Sequence, residues 1–464
     1  MQTEGGFFWK EVTIMYNHST TIQIIRLAIP VILGQITHTL LNFADRYFIA
    51  KLGVHEAAGA GLCVTLMWFL FTFTAIISGG TIALVSRKIG EQNEQEAVHS
   101  AEQSLLLSVI FGIIITLFSL VISGSVFSFF QAEHQVETLG LLYFRILLIG
   151  YPFVMTIITV AAIFQAAGDT KTPMKVFVWM SIANIVIDPF FIFTSFEIFG
   201  LQIQGFGLGI RGAGYATIIA EGFATLWLLV KLYHFRTIRM NLLWRIRLEP
   251  NMIRRILRIG IWQGMNGLSR PLTAVVLQRI LAFHGTNALA AFVFGYQWVS
   301  IIFLFFEGLR IAVATMVGRN LGKRDYQQVS DTVSSGLILG SCLLMVFMVF
   351  GFLFPEQAIG IFIHNREVIT IGVYYLKIVL MGLIFSVPMT VYSAAFNGAG
   401  DTQPPMIISF IANWAVKVGV AAMTTYYLGL GVKSVWVAVS MSICVEGVGL
   451  YFWFRRGGWK TKMI

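Results

Sequence analysis

Five acidic side chains lie inside long apolar stretches of the sequence, clear of the ends of those stretches. They are Asp45, Asp188, Glu221, Glu307 and Glu446. A carboxylate surrounded by apolar groups is costly, and such residues are typical of sites that bind, pair or carry protons. The surroundings of these acids are therefore the candidate sites.

Asp45 ends a polar stripe. Gln35, His38, Asn42 and Asp45 are spaced by three, four and three residues, which places all four side chains on one face of a helix. This face is expected to line a packed interior or a wet cavity, and His38 could titrate near neutral pH. The alternative is a hydrogen-bonded packing network in which His38 is a satisfied hydrogen-bonding residue.

Asp188 has Asn184 one turn earlier on the same helix face, and Pro189 follows it. Proline removes a backbone donor, so Pro189, and Pro30 in the first apolar stretch, are expected to act as hinges. The alternative is a kinked helix in which Asp188 caps loose backbone groups. If Asp45 and Asp188 meet, the carboxylates repel and one is expected to hold a proton. Such a pair could take up H⁺ or Na⁺ in exchange for a cation.

The chain has 464 residues, of which 57% are hydrophobic and 12% charged. Soluble domains are about 25% charged, so this composition excludes a disordered chain, a coiled coil and nearly every water-soluble enzyme. Cys63, Cys342 and Cys444 are far apart in apolar stretches, which argues against a disulfide framework and a zinc site. The sequence has no phosphate loop or nucleophile motif. We expect neither an enzyme nor a metal site, and no cofactor beyond a coupling ion.

Twelve apolar stretches are long enough to cross a bilayer, which takes about 20 residues of helix. They lie near 24–50, 56–86, 101–128, 138–163, 174–195, 211–234, 256–283, 287–317, 332–355, 368–396, 405–428 and 432–454. The sequence therefore predicts an all-α integral membrane protein with twelve transmembrane helices. The residues before the first stretch match a cleavable signal peptide poorly, so we expect the N-terminus to be retained.

Basic residues mark the cytoplasmic side of a membrane protein. With the N-terminus inside, 21 of the 32 basic residues fall on that side and four on the other. We expect a multi-pass protein of the plasma membrane with both termini in the cytoplasm. The basic segment 231–258 is assigned to this face rather than to nucleic-acid binding. The expected partners are membrane lipids and small molecules, and the expected state is a monomer.

The sequence is duplicated at an offset of 232 residues. GDTKTPM at 168–174 recurs as GDTQPPM at 400–406. The same offset pairs Gly53 with Gly285, Arg87 with Arg319, Gly90 with Gly322, Tyr143 with Tyr375, Gly150 with Gly382 and Phe164 with Phe396. Each copy has six spans, so the copies form a parallel repeat. We predict an N-lobe (1–234), a cytoplasmic basic linker (235–255) and a C-lobe (256–464), with the two pseudo-symmetric lobes around a central cleft.

The copies differ in charge. The offset places Leu277 opposite Asp45 and Val420 opposite Asp188, and the C-lobe spans hold three more basic than acidic residues. Cation chemistry is therefore expected in the N-lobe. Glu307 and Arg310 are expected to form a structural ion pair. Lys417 is either a counter-ion in the cleft or a hydrogen-bonded link between helices.

Several segments carry a family resemblance. They are PVILGQITHTLLNFADRYFIAKLG from Pro30, the two GDT loops, NIVIDP from Asn184, GIRGAGYAT from Gly209 and VGRNLGKRD from Val317. In order and spacing they resemble the multidrug and toxic compound extrusion (MATE) family of cation antiporters. The Asp45, Asn184 and Asp188 pattern is similar to the DinF-like branch. It implies an N-lobe network that changes with protonation and comprises Asp45, Tyr143, Asn184, Asp188 and Thr217.

Two features depart from the family pattern. The stretch between Asp188 and Gly209 is long for the family. The seventh and tenth spans have no acid apart from Glu367 at an outer edge, whereas the NorM-like branch has acids there. A Na⁺ site in the C-lobe is therefore not expected.

The resemblance implies an ion-gradient-driven antiporter, with H⁺ favoured over Na⁺, that works by alternating access. Its expected substrates are organic cations and other lipophilic or amphipathic drugs and toxic compounds, which it exports. The alternative is a flippase for lipids or lipid-linked oligosaccharides from the same superfamily, which the basic C-lobe keeps open. A channel or a non-transporting receptor forms a third class.

Overall fold

The structure is a computed structural model that describes residues 18–198, 200–235, 237–238 and 248–462. The predicted cytoplasmic placement of Lys10 and of the linker arginines Arg236, Arg239, Arg245 and Arg247 falls outside the described residues.

Long helices joined by short turns make up the first copy of the repeat. They are α1 (His18–Ala50), α2 (Val54–Gly90), α3 (Glu94–Phe129), α4 (His134–Ala166), α5 (Lys171–Ile192) and α6 (Ile210–Tyr233). Between α5 and α6 lies an antiparallel hairpin of β1 (Ser195–Ile198) and β2 (Leu201–Gln204), in which Ser195 pairs with Gln204.

The second copy has the same order of helices with two local changes. Its helices are α7 (Pro250–Phe283), α8 (Thr286–Gly322), α9 (Tyr326–Leu353), the short α10 (Pro355–Gly360), α11 (Arg366–Leu383), α12 (Ser386–Gly398), α13 (Gln403–Phe410) and α14 (Lys433–Arg455). The helix that starts as α13 continues with π-helical hydrogen bonding over Ile411–Val420 and Met423–Tyr427. The pair α11 and α12 is bent by 47°.

The structure repeats at the offset seen in the sequence. The starts of α1 to α5 and of α7, α8, α9, α11 and α13 are each 232 residues apart. The turns repeat as well, because Gly168 and Gly400 both have a left-handed φ, 77° and 74°. Asn93 and Asp325 cap α3 and α9 in the same way, each accepting from a backbone N–H three residues on.

The hairpin breaks this repeat, because the offset falls to 223 at the starts of α6 and α14. It accounts for the long stretch between Asp188 and Gly209. Its two strands were not predicted from the sequence, since four-residue strands outside the apolar stretches leave little periodicity to detect.

Ten of the described helices are long and apolar enough to cross a membrane, and the bent pair α11 and α12 brings the number to as many as eleven. The predicted all-α, multi-pass membrane architecture is confirmed at this level. The remaining predicted span, 256–283, lies in α7, a continuous helix of 34 residues. It is not among the apolar helices because arginines and amide side chains, such as Arg258, Gln263 and Arg270, are spread along it.

The described chain divides into two compact units. One comprises residues 29–271, and the other comprises residues 18–28 and 272–462. The borders fall inside α1, two residues before Pro30, and inside α7, directly after Pro271. α7 starts at Pro250, so it includes the end of the segment predicted as a linker. The predicted lobe boundaries remain a prediction.

Each unit holds the start of a first helix against a third helix. In one unit, Thr20 of α1 donates to Gln328 of α9 at 3.5 Å. In the other, Ser100 of α3 donates to the sulfur of Met252 in α7 at 3.6 Å. Thr20 and Met252 are 232 residues apart, so the two copies use the same packing arrangement.

Gly260 of α7 packs directly on the backbone of α2. A Cβ at this position would lie 1.6 Å from the carbonyl oxygen of Ile76, and a carbonyl within a helix cannot turn away. Gly260→Ala is expected to lower the melting temperature in detergent, with a cost of about 1–3 kcal/mol, typical of overpacking.

Gly61→Ala in α2 is the matched control, because nothing lies within 4 Å of a Cβ there. Its melting temperature is expected to equal or exceed that of the wild type, since alanine favours helix more than glycine does. If both variants melted like the wild type, the close α2–α7 contact would be wrong.

Candidate functional site

Asp45 and Asp188, which the sequence could place only on separate helices, meet in the unit 29–271. Asp188 of α5 is fully buried, with 0% exposure, and Asp45 of α1 is half-buried. Their carboxyl groups are within hydrogen-bonding reach of each other. The guanidinium of Arg46 lies within electrostatic range of Asp45. The two acids therefore form one site rather than two.

Asn184 joins the two carboxyl groups. In the amide orientation that satisfies its neighbours, Nδ2 donates to Asp45 Oδ1 at 2.9 Å and to Asp188 Oδ2 at 3.2 Å. In the same orientation, Oδ1 of Asn184 accepts from the backbone N–H of Thr217 at 3.2 Å. One buried amide thus connects α1, α5 and α6.

The arrangement of the two acids is suited to a shared proton. Among the described residues, the buried Oδ1 of Asp188 has no hydrogen-bond donor. Ionised carboxylates only accept hydrogen bonds, so a bond between two carboxyl groups requires that one of them carry a proton. The geometry can therefore hold one proton between Asp45 and Asp188.

Tyr143 and Thr217 complete the network that the family resemblance implies. Tyr143 of α4 is 4% exposed and lies within electrostatic range of Asp45 and Asp188. Thr217 of α6 contacts Asn184, and its hydroxyl donates to the backbone oxygen of Ala213 at 2.9 Å. The structure brings these residues together, and their roles remain predictions.

The rest of the α1 stripe forms local pairs instead. Nδ2 of Asn42 lies 3.2 Å from Nδ1 of His38 and donates to the His38 backbone oxygen at 2.9 Å. Gln35 accepts through its backbone oxygen from Thr39 at 2.9 Å. The described contacts of Asn42 thus link it to His38, one turn away from Asp45.

The hairpin holds α5 and α6 together beside the two acids. The last carbonyl groups of α5, which lack partners inside the helix, accept from the segment that follows the hairpin. Phe190 O accepts from Phe206 N at 2.7 Å, Phe191 O from Leu208 N at 2.9 Å and Ile192 O from Gly209 N at 3.0 Å. These bonds set the position of the α6 start relative to the end of α5.

The proposed hinges lie within continuous helices. Pro30 is inside α1, and Pro189 is in the last turn of α5, where its oxygen accepts from Phe193 N at 3.1 Å. Both hinge roles remain predictions.

Glu221 belongs to the same region, although the sequence analysis counted it only as a charge. It lies on α6 four residues after Thr217 and is within electrostatic range of Asp45 and Tyr143. Its spacing from Thr217 was the available signal, because residues four apart share a helix face.

The second unit has different polar chemistry. Glu307 and Arg310 form the expected ion pair, with Nε to Oε2 at 2.8 Å and Nη2 to Oε1 at 2.5 Å. Lys417, in the π-helical segment, donates to Oδ1 of Asn413. Within the part of the chain that the structure describes, no three or more His, Cys, Asp or Glu side chains could hold a metal ion.

An all-helical, multi-pass chain of two copies, with a connected pair of acids inside its spans, defines a membrane transporter. The family model MatE matches residues 30–190 and 271–423. The chain belongs to this family, and it is therefore a transporter rather than an enzyme.

Relatives match nearly the whole chain. The "Probable multidrug resistance protein NorM" of Thermotoga maritima is 26% identical over 95% of this chain and 94% of its own length. The "Probable multidrug resistance protein YoeA" of Bacillus subtilis is 23% identical over 94% of this chain and 93% of its own.

Solved structures share the fold. A "multidrug resistance MATE family transporter of the MOP superfamily" in an outward-facing conformation has a TM-score of 0.86 at 24% identity, covering 98% of this chain and 99% of that one. A MOP superfamily transporter from Pyrococcus furiosus has a TM-score of 0.86 at 23% identity, covering 96% and 97%. At this identity the likeness concerns the fold alone.

Replacement of Asn184 tests the amide bridge. Asn184→Leu keeps the volume but removes the donor shared by the two carboxyl groups. A hydrogen bond to a charged group contributes about 1.5–3 kcal/mol. That contribution is present at alkaline pH, where the carboxylates are charged, and is lost as they take up protons at acidic pH. The loss in melting temperature is therefore expected to be larger at pH 8 than at pH 5.

Asn397→Leu is the control, because Asn397 is a buried amide of the other unit. Its effect on the melting temperature is expected to be the same at the two pH values. An Asn184→Leu variant whose loss did not change with pH would argue against the bridge.

Proposed function

We propose that this chain is a multidrug efflux transporter that exports lipophilic, often cationic compounds in exchange for H⁺ by alternating access. Relatives over the full length are named multidrug resistance proteins. The observation that carries the coupling proposal is the meeting of Asp45 and Asp188 around the Asn184 amide. It offers one place where a proton and a cation compete.

Charge explains how that competition drives export. With its protons removed, the Asp45–Asp188 pair is an anionic group inside the membrane and attracts a cationic compound. A proton that enters from outside lowers the negative charge of the pair, so the attraction falls and the compound leaves. The pair can be restored only when the proton is released on the other side, which couples export to the proton gradient.

The donor set favours H⁺ over Na⁺. Hard metal cations bind oxygen ligands, but the Asn184 amide turns its nitrogen toward both carboxyl groups and its oxygen toward Thr217. The centre of the network is therefore occupied by a donor, which suits a proton shared between acids. No cofactor other than the coupling ion enters the proposal.

The setting of the transporter is also a proposal. The excess of basic residues on one side supports a monomer in the plasma membrane, surrounded by lipids, with both termini in the cytoplasm. Tyr143, Thr217 and the stripe of Gln35, His38 and Asn42 are the proposed surroundings of substrate and proton.

Neutral variants of the two acids test the function. Asp45→Asn and Asp188→Asn, in vesicles with an imposed pH gradient, are each expected to lower ethidium efflux by about tenfold or more, the scale of a typical coupling free energy. An equal gradient of Na⁺ is expected to drive no efflux in the wild type.

Glu367→Gln serves as the control, since Glu367 is an exposed acid in the first turn of α11. Its efflux is expected to match the wild type. Full efflux from both aspartate variants would show that coupling does not use this pair.

The rival function is a flippase for lipids or lipid-linked oligosaccharides, which the basic residues of the second unit support. Arg310 is paired with Glu307, so part of that positive charge is already neutralised. A lipid-flipping assay on the same vesicles separates the two functions. We expect no flipping above that of empty vesicles, and flipping without ethidium efflux would favour the rival.

A further inference from the structure

Glu221 is an ionisable residue in the unit 29–271 that the proposed exchange at Asp45 and Asp188 leaves unused. It follows Thr217 by four residues, so it shares the face of α6 that contacts the Asn184 amide. α6 runs from the predicted outer face toward the predicted cytoplasmic face. Glu221 therefore lies about 6 Å further along the helix axis toward the cytoplasm than Thr217 does.

The neighbouring helix leaves space for the Glu221 carboxylate. A Cβ at Gly150 of α4 would lie 2.9 Å from Oε2 of Glu221, so the carboxylate packs where a side chain would otherwise be. The copy of Gly150 in the repeat is Gly382, whose Cβ would meet Ser440 of α14 at 2.7 Å. The same helix contact thus holds an acid in one unit and a serine in the other.

The surroundings of Glu221 are acidic rather than basic. Asp45 of α1 and Tyr143 of α4 are within electrostatic range of it, and Tyr143 is also in range of Asp188 of α5. Across the described residues, the Glu221 carboxyl group has neither an ion-pair partner nor a hydrogen-bond donor. A negative charge without a partner is costly at such a position.

A second observation points to a mobile proton beside this cluster. Asp188 is fully buried, and its Oδ1 has no donor among the described side chains. Tyr143, at 4% exposure, is in range of all three acids. It therefore lies in the right region to transmit a proton between the pair and Glu221.

We propose that Glu221 is a third proton-binding carboxyl group, which receives the proton from the Asp45–Asp188 pair on its way to the cytoplasm. The O–H bond on one aspartate breaks and an O–H bond forms on Glu221, so the total charge of the three acids does not change. The step returns the pair to its anionic form, ready for the next cation. This inference rests on the proposed function, since it assigns the inward half of the proton path.

The test compares two kinds of ethidium movement in vesicles that contain the full chain. One is exchange down an ethidium gradient without a pH gradient, and the other is efflux driven by a pH gradient. Glu221→Gln is expected to keep the exchange and to lose about tenfold of the driven efflux. Gly150→Ala, which takes the space of the carboxylate, is expected to shift the same ratio. Glu221→Asp is expected to restore part of the driven efflux.

Glu446→Gln is the matched control, because Glu446 is a buried acid of α14 in the other unit. Its ratio of driven efflux to exchange is expected to equal that of the wild type. A Glu221→Gln variant with full driven efflux would overturn the inference. An equal loss of exchange and driven efflux would also overturn it, because that result indicates a structural role.

The outcome for the proposed function is read separately. If the wild type shows no efflux driven by a pH gradient, the proposed function fails whatever the Glu221 variants do. If Glu221→Gln does not fold, Glu221→Asp decides, since full driven efflux in that variant would contradict a position-dependent proton path.

Discussion

A carboxylate inside a membrane span must be paired, hydrogen-bonded or protonated, and the unit 29–271 is built around this constraint. Two acids from α1 and α5 face each other, and the Asn184 amide donates to both. The amide in turn depends on Thr217 N–H, and so on the placement of α6. The backbone bonds from the hairpin segment to the end of α5 set that placement. The chemistry of two side chains thus depends on the packing of three helices.

The duplicated framework separates what is general in the fold from what is specific to the site. Helix starts, turn glycines and helix caps repeat at one offset. The acids do not, because Leu277 and Val420 occupy the positions of Asp45 and Asp188. In the second unit, the acid Glu307 is neutralised by Arg310 on its own helix. One copy therefore keeps the framework with a paired charge, while the other carries a charge that a proton can change.

Much of the fold could be predicted from the sequence, because apolar stretches and a repeat are local or one-dimensional signals. Shared helix faces could also be predicted, so Asn184 was correctly placed with Asp188. That Asp45 meets them could not, since it depends on how α1 packs against α5 and α6. Asn42, on the same stripe, pairs with His38 instead. The hairpin and the space that Gly150 leaves for Glu221 escaped for the same reason, because both are defined by contacts between distant segments.

The central claim is that Asp45 and Asp188 share a proton that a cationic substrate displaces. Infrared difference spectroscopy of the reconstituted protein, with and without ethidium at constant pH, measures this directly through the carbonyl stretch of a protonated carboxyl group. The account predicts that ethidium removes such a band in the wild type, with release of a proton to the medium, and that Asp188→Asn lacks this change. A wild-type spectrum in which ethidium binds while the carboxylic acid region stays unchanged would contradict the account.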